Sequence, residues 1–246
     1  MKWTLFLCIA LTALSSLPGT AWAAENRKEA AGGPRTEKYY YEAIPVNHHP
    51  SQKESIEMEI IEAEGGIVYH SRAIGPGSLE EISIQMDREA RFVSGIRSTR
   101  QRLDGPVQEE KIWRGRHRLV VERHTEGGTK RKEHRLPVGK ELAVDGSLLA
   151  LLRFFPFDEG KKWNLFMVDF SGYSVTVTIL QEAREKIAVP AGEFECYRLA
   201  TVVNIPVLKP KITYWLSTQK PNFLVKHQGR RGPFTSSYIT SLISLE

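Results

Sequence analysis

The chain has 246 residues, a formal net charge of +5 and 41% hydrophobic residues. That is enough for one domain with a substantial core. Its two cysteines, Cys8 and Cys196, rule out a disulfide framework, and no segment is long and apolar enough to read as a membrane-spanning helix.

The first residues have a three-part layout. Lys2 supplies a positive start, an apolar run follows from Leu5 to Leu14, and Pro18-Gly19 leads to the small-residue site Ala21-Trp22-Ala23. This predicts a bacterial secretory signal over residues 1–23, cleaved after Ala23, with the product soluble in the periplasm. The apolar run falls short of the about 20 residues that an anchor needs. Cys8 follows Leu5-Phe6-Leu7, where a lipid-modification box would want a small residue, so no lipidation is expected. Cleavage removes Cys8 and leaves Cys196 alone. Cys196 sits in the strand-like run Glu193–Leu199, which suits a small core thiol.

Residues 24–36 carry charges, Ala-Ala and Gly32-Gly33-Pro34 without periodicity, and read as a flexible leader. A single β domain is expected over 37–246. Ser55–Ala63 alternates through Ile56, Met58 and Ile60, and Glu64-Gly65-Gly66 turns it into Ile67–Ala73. Glu81–Asp87 alternates through Ile82, Ile84 and Met86, and Arg91–Arg102 is a further strand. The hairpin Arg116–Leu136 turns at Gly127-Gly128 and has apolar residues on one side only, at Leu119, Val121 and Leu136. One of its faces is expected in water. A helix capped by Asp145 or Ser147 is predicted over Leu148–Arg153, stopping before Phe154-Phe155-Pro156. It is apolar on most sides and so needs cover from a sheet. Strands resume over Trp163–Phe170, Tyr173–Ala183, Lys186–Val189, Glu193–Val203, Ile212–Ser217, Phe223–Gln228 and Phe234–Leu245. Their close spacing favours antiparallel neighbours.

Between Arg88 and Arg135, basic side chains outnumber acidic ones two to one. Such a surplus suits an acidic partner. In an exported protein that means an anionic membrane, lipopolysaccharide or acidic glycan, with no nucleic acid. A solvated arginine-rich strand surface accounts for the charge equally well.

Three stretches of the C-terminal half carry a resemblance. They are Asp145–Arg153 followed by Pro156 and Gly160, then Val189–Leu199, then Ile212–Ser217 followed by Pro221 and Leu224-Val225-Lys226. Together they resemble the bacterial family catalogued as domain of unknown function 3108, whose members are exported envelope proteins without an assigned reaction. Where many relatives have an acidic residue after Trp-Leu-Ser, this chain has Thr218-Gln219-Lys220. The resemblance extends to the lipoprotein carriers of the periplasm. It implies a mainly β fold with one or two short helices, a curled antiparallel sheet forming a half-barrel or open barrel around an apolar cavity.

Catalytic patterns are missing. There is no Gly-x-Ser-x-Gly elbow, Walker loop, His-Glu-x-x-His or dinucleotide fingerprint. His48-His49 are adjacent and diverge on an extended chain, and His117 and His124 differ in parity along a strand. Neither pair suits a metal. The carboxylate pairs Glu80-Glu81, Glu109-Glu110 and Asp158-Glu159 read as loop or strand-end solvation. Neither an enzyme nor a cofactor or metal protein is expected. Two readings stay open. In the first, a periplasmic carrier holds a lipid or acyl ligand in a cavity lined by Leu149, Leu152, Phe154, Phe155, Trp163, Phe166, Trp215 and Phe223. In the second, an envelope interaction or assembly protein docks an acidic surface through Arg114, Arg116, Arg118, Arg123, Lys130, Arg131 and Lys132.

Overall fold

The computed structural model describes residues 34–46, 52–89, 91–102, 105–125, 127–137, 141–157, 161–204, 211–230 and 237–246. The signal segment, most of the leader, His48-His49, Asp158-Glu159 and Gly160 lie outside the described residues. In chain order the strands are β1 (Arg35–Pro45), β2 (Glu54–Ala63), β3 (Gly66–Gly75), β4 (Ser78–Met86), β5 (Phe92–Arg100), β6 (Gln108–Arg114), β7 (Arg118–Thr125), β8 (Gly128–Arg135) and β9 (Glu141–Val144). After helix α1 (Ser147–Leu152) come β10 (Lys162–Val168), β11 (Ser174–Val189), β12 (Gly192–Asn204), β13 (Lys211–Ser217), β14 (Leu224–Arg230) and β15 (Ser237–Leu245).

Among the described residues these strands form one 15-stranded sheet in the order β8-β7-β6-β5-β4-β3-β2-β1-β15-β14-β13-β12-β11-β10-β9. β1 lies mid-sheet; from it the strands build outward to β8, the next strand, β9, takes the far edge, and the rest return strand by strand. β15 closes against β1 with Ile44 opposite Ile239. Every neighbouring pair is antiparallel except β9–β10, which are parallel because α1 and its following segment carry the chain back between them. The expected mainly β, antiparallel class with a short helix is observed.

Alternation explains most strands. Met58 and Ile60 of β2 and Ile84 and Met86 of β4 are buried, while Glu57 and Glu81 face outward. Gly66 opens β3 at φ +136, and a Cβ there would overlap the Met86 carbonyl oxygen. The β2–β3 turn therefore accepts only glycine at this position.

The sheet curls until its halves face one another. The Gly95 Cα on β5 approaches Phe170, whose ring atom lies 3.3 Å from where a Cβ would sit, and Gly146 presses on Ile82. Fully buried Tyr69, Ile84, Phe92 and Ile112 from one half meet Leu165, Ile179, Leu199 and Leu216 from the other, with Leu152 of α1 among them. Each such side chain contributes about 1.5–3 kcal/mol by leaving water.

Several local expectations are corrected. β1 starts at Arg35, inside the expected leader. β1, β6 and β9 were not anticipated. β11 runs unbroken past Ala183 because a bulge at Glu182 absorbs the break in alternation. Neither Asp145 nor Ser147 caps α1: Gly146 takes the cap position at φ 84 without a side-chain bond. The Ser147 hydroxyl turns back to Val144 instead, accepting from its N–H at 2.8 Å and donating to its carbonyl at 2.7 Å. The β7–β8 hairpin is not apolar on one side only. Val120 is as buried as Val121, because it lies beside Trp113 and Glu133 on the outer face and Arg131 reaches over the Trp113 ring at 5.8 Å.

Candidate functional site

The hollow of the curled sheet is occupied by α1 and the residues after it. Leu152 is fully buried, Leu149 half-buried, and Phe154 half-buried against the core. Phe155 sets its ring edge-on to Trp163 at 6.1 Å and to Phe157 at 5.4 Å, and Phe157 stacks on Tyr197 at 4.4 Å. Phe155 and Trp163 thus meet directly, in one aromatic cluster with Phe157 and Tyr197. Phe166 is half-buried and alternates with Trp163, so it takes the opposite face of β10.

Phe223 belongs to a different cluster, between Tyr39 and Phe194, each 5.6 Å away. Trp215 faces outward with Arg198 and Lys226 as cross-strand neighbours. Its indole N–H donates to Glu185 at 2.7 Å, beneath the overarching β11–β12 hairpin whose tip bonds β15 through Ala191 N–H and Leu242 O. Lys226 lies 5.3 Å over its ring. Period-2 alternation could not place this tryptophan, because both its neighbouring faces are covered.

A buried ionic latch fixes the end of α1. Arg153 donates to Glu37 at 2.6 Å and to the Pro221 carbonyl at 3.1 Å, and lies 3.5 Å from Glu62. Tyr39 donates its hydroxyl to the same Glu37 oxygen at 2.7 Å. The Pro221 side is shaped by Asn222, which donates to the Ser217 carbonyl at 2.9 Å. Two of the sequence motifs, Asp145–Arg153 and the segment from Ile212 to Pro221, therefore meet at one arginine. An arginine ending an apolar helix was the available signal. Its partner Glu37 had none, being one acid among many in a stretch where no strand was expected.

The two ends of the sheet meet at a seam made of side chains. Lys132 of β8 reaches the Ser171 carbonyl at 3.4 Å and lies 5.2 Å from the Tyr173 ring centroid. Arg97 of β5 covers the Phe170 ring at 5.0 Å and approaches Asp145 at 3.7 Å. Glu110, only 3% exposed, is clamped by Arg97 at 2.6 Å and by Arg123 at 3.1 Å. Among the described residues no backbone hydrogen bond joins β8 to β9, β10 or the turn between β10 and β11.

The basic candidates do not share one face. Arg114, Arg123, Lys130 and Lys132 lie on the concave side, Arg118 and Arg131 on the outer side, and Arg116 in the β6–β7 turn. Glu133 holds both Arg118, at 2.6 Å, and Arg131, at 2.9 Å.

Two open depressions lie on the outer surface. One, of about 400 Å³, is lined by Glu57, Glu59, His70, Arg72 and Glu81. The other, of about 450 Å³, is lined by Glu182, Arg198, Lys211, Trp215 and Gln228. Of the cavity candidates only Trp215 borders either. Among the described residues no three His, Cys, Asp or Glu side chains come together as metal ligands. Burial pushes the Cys196 thiol up to about 12, with Glu195 and Glu185 adding to the effect, which leaves it protonated and unreactive. No helix among the described residues is long and apolar enough to cross a membrane.

Comparison with known proteins agrees with the motifs. The family described as Protein of unknown function (DUF3108) matches residues 100–230, more than half of the chain, so the chain belongs to that family. The match begins well upstream of Asp145 and takes in the basic hairpin. No curated protein matches. Two solved structures are similar at a distance. A protein of Parabacteroides distasonis described as a candidate lipoprotein shares 11% identity at a TM-score of 0.34, over 86% of this chain and 95% of that one. A protein of Bacteroides fragilis described as a candidate exported protein with a YmcC-like fold shares 8% identity at a TM-score of 0.30, over 85% and 95%.

Proposed function

We propose that this family member is an exported, non-enzymatic binding domain of the cell envelope that takes a lipid or other apolar ligand into the hollow of its curled sheet. The observation that carries this reading is the seam. The sheet's ends are held by Lys132, Arg97 and their partners, so the interior can be reached without breaking a backbone ladder. An apolar chain entering there would gain about 0.8 kcal/mol for each methylene buried. It would have to displace the Phe154–Phe157 segment, which now fills that space against Trp163 and Tyr197. The secretory pattern of residues 1–23 supports the compartment.

Lys132 and Gly172 provide the test. The Lys132 Cβ lies 3.6 Å from where a Cβ on Gly172 would stand, within the range that a disulfide spans. Protein taken from its own periplasm is expected to carry lipid by native mass spectrometry. The oxidised Lys132→Cys/Gly172→Cys protein is expected to stop exchanging a fluorescent fatty acid and to resume on reduction. Empty wild-type protein that also takes up no fatty acid in vitro would sink the reading, as would exchange indifferent to the seam disulfide.

A further inference from the structure

We infer that β8 is a docking edge for an acidic, extended segment of a partner protein, which adds to the sheet as a further strand. The edge adjoins the seam at Lys132, but the inference does not depend on the binding reading above.

The sheet has two edges, and they are built differently. β9 is four residues long, with Ala143 and Val144 fully buried and the last N–H capped by Ser147. β8 is eight residues long, exposed at every position except His134, and ends the sheet order. Folded proteins ordinarily shorten, cover, interrupt or charge an edge of that length, and of these β8 has only charge.

Its backbone orientation follows from the Leu136 N–H bond to the His117 carbonyl at 3.1 Å. With Arg118 opposite Arg135, the even-numbered residues of β8 bond to β7. The N–H and C=O groups of Thr129, Arg131, Glu133 and Arg135 therefore point away from the sheet.

Charge then selects the occupant. The strand carries Lys130, Arg131, Lys132 and Arg135 against the single acid Glu133, and Glu133 is already held by Arg118 and Arg131. Two β8 edges repel each other, so a second copy of this chain is excluded. An acidic strand is attracted on both faces, by Lys130 on the concave side and Arg135 on the outer side. Charge that prevents self-association thus leaves hetero-association open. Outward backbone groups favour a peptide over a membrane or glycan, neither of which can extend a β ladder.

The experiment uses full-length mature protein and three probes: an alternating Glu-Val decapeptide, the same peptide N-methylated at alternate residues, and vesicles containing anionic lipid. The plain peptide is expected to slow amide exchange at Thr129, Arg131, Glu133 and Arg135. N-methylation should weaken binding at least about tenfold, as loss of a few ladder hydrogen bonds implies. The Lys130→Glu/Arg135→Glu variant should lose the peptide. Arg131→Pro removes an outward N–H without touching the β7 ladder and should also lose it; where that variant does not fold, the N-methylated peptide decides. Equal binding of both peptides, protection elsewhere in the sheet, no binding, or tighter binding to vesicles than to the peptide would each overturn the inference.

Discussion

Arg153 and Glu37, 116 positions apart, are joined by a 2.6 Å hydrogen-bonded ion pair inside the protein. The arginine side chain is 4% exposed and the glutamate 10%. This contact ties the interior helix to the first strand of the sheet, and through the Pro221 carbonyl to the turn after β13.

Breaking the latch on one side leaves a buried charge with only a more exposed partner, Glu62 for Arg153 or Arg35 for Glu37. Arg153→Ala or Glu37→Ala is expected to cost about 3–5 kcal/mol in urea unfolding. Replacing both, as Arg153→Met with Glu37→Leu, is expected to recover most of that loss. A double variant as unstable as the sum of the singles would show that the two charges do not act as a pair.

Alkaline pH should destabilise the fold through its buried tyrosines and Cys196. Burial raises the ionisation of Tyr39, Tyr41, Tyr69 and Tyr214 above the ordinary tyrosine value of 10.0, and that of Cys196 from 9.0 to about 12. Above pH 9 the unfolded chain releases these protons while the folded chain keeps them, so fewer protons are bound in the unfolded state. Stability is therefore full below pH 9 and falls as pH rises toward 12. Absorbance at 295 nm should show these tyrosines ionising only together with unfolding, and Cys196 should react with thiol reagents only in denaturant.

Gly66→Ala should be severe for a single methyl group. The new Cβ would collide with the Met86 carbonyl oxygen at a positive φ that alanine resists. A loss of at least about 1–3 kcal/mol is expected from thermal or urea unfolding. Gly128→Ala provides the contrast: its φ is also positive, but nothing lies within 4 Å of its Cβ position, so a smaller loss is expected.

Val120→Ala and Val121→Ala should cost similar amounts, about 2 kcal/mol each. Val121 faces the core, and Val120 lies under the outer Trp113–Arg131 pair. Urea unfolding that finds Val120→Ala neutral would restore a hairpin with one wet face.

Much of the fold could be read from the chain. Met58 and Ile60, or Ile84 and Met86, reveal their inner face because a strand alternates strictly and one side of this sheet is buried. Gly65-Gly66 and Pro190-Ala191-Gly192 mark turns for steric reasons that are local. The interior helix showed itself as an apolar run stopped by Pro156. β1 was harder, because Arg35–Pro45 begins among charges and its alternation through Glu37, Tyr39 and Tyr41 includes a buried acid.

The candidate site was legible only in part. Phe155 and Trp163 could be named as apolar and do meet, but Phe223 and Trp215 joined other clusters, since apolarity alone does not say which apolar side chains become neighbours. The basic residues were visible as a surplus, yet their division between two faces depends on register, and register shifts every side chain by a whole face.

Local residue chemistry determined the β class, the main turns, the single interior helix and the family motifs, because each depends on contacts within a few positions. Tertiary structure decided the order of the strands, the seam closed by Lys132 and Arg97, the pairing of Arg153 with Glu37, and which edge stays open. Those features join residues far apart in the chain, where what matters is the curl of the sheet rather than any spacing in the sequence.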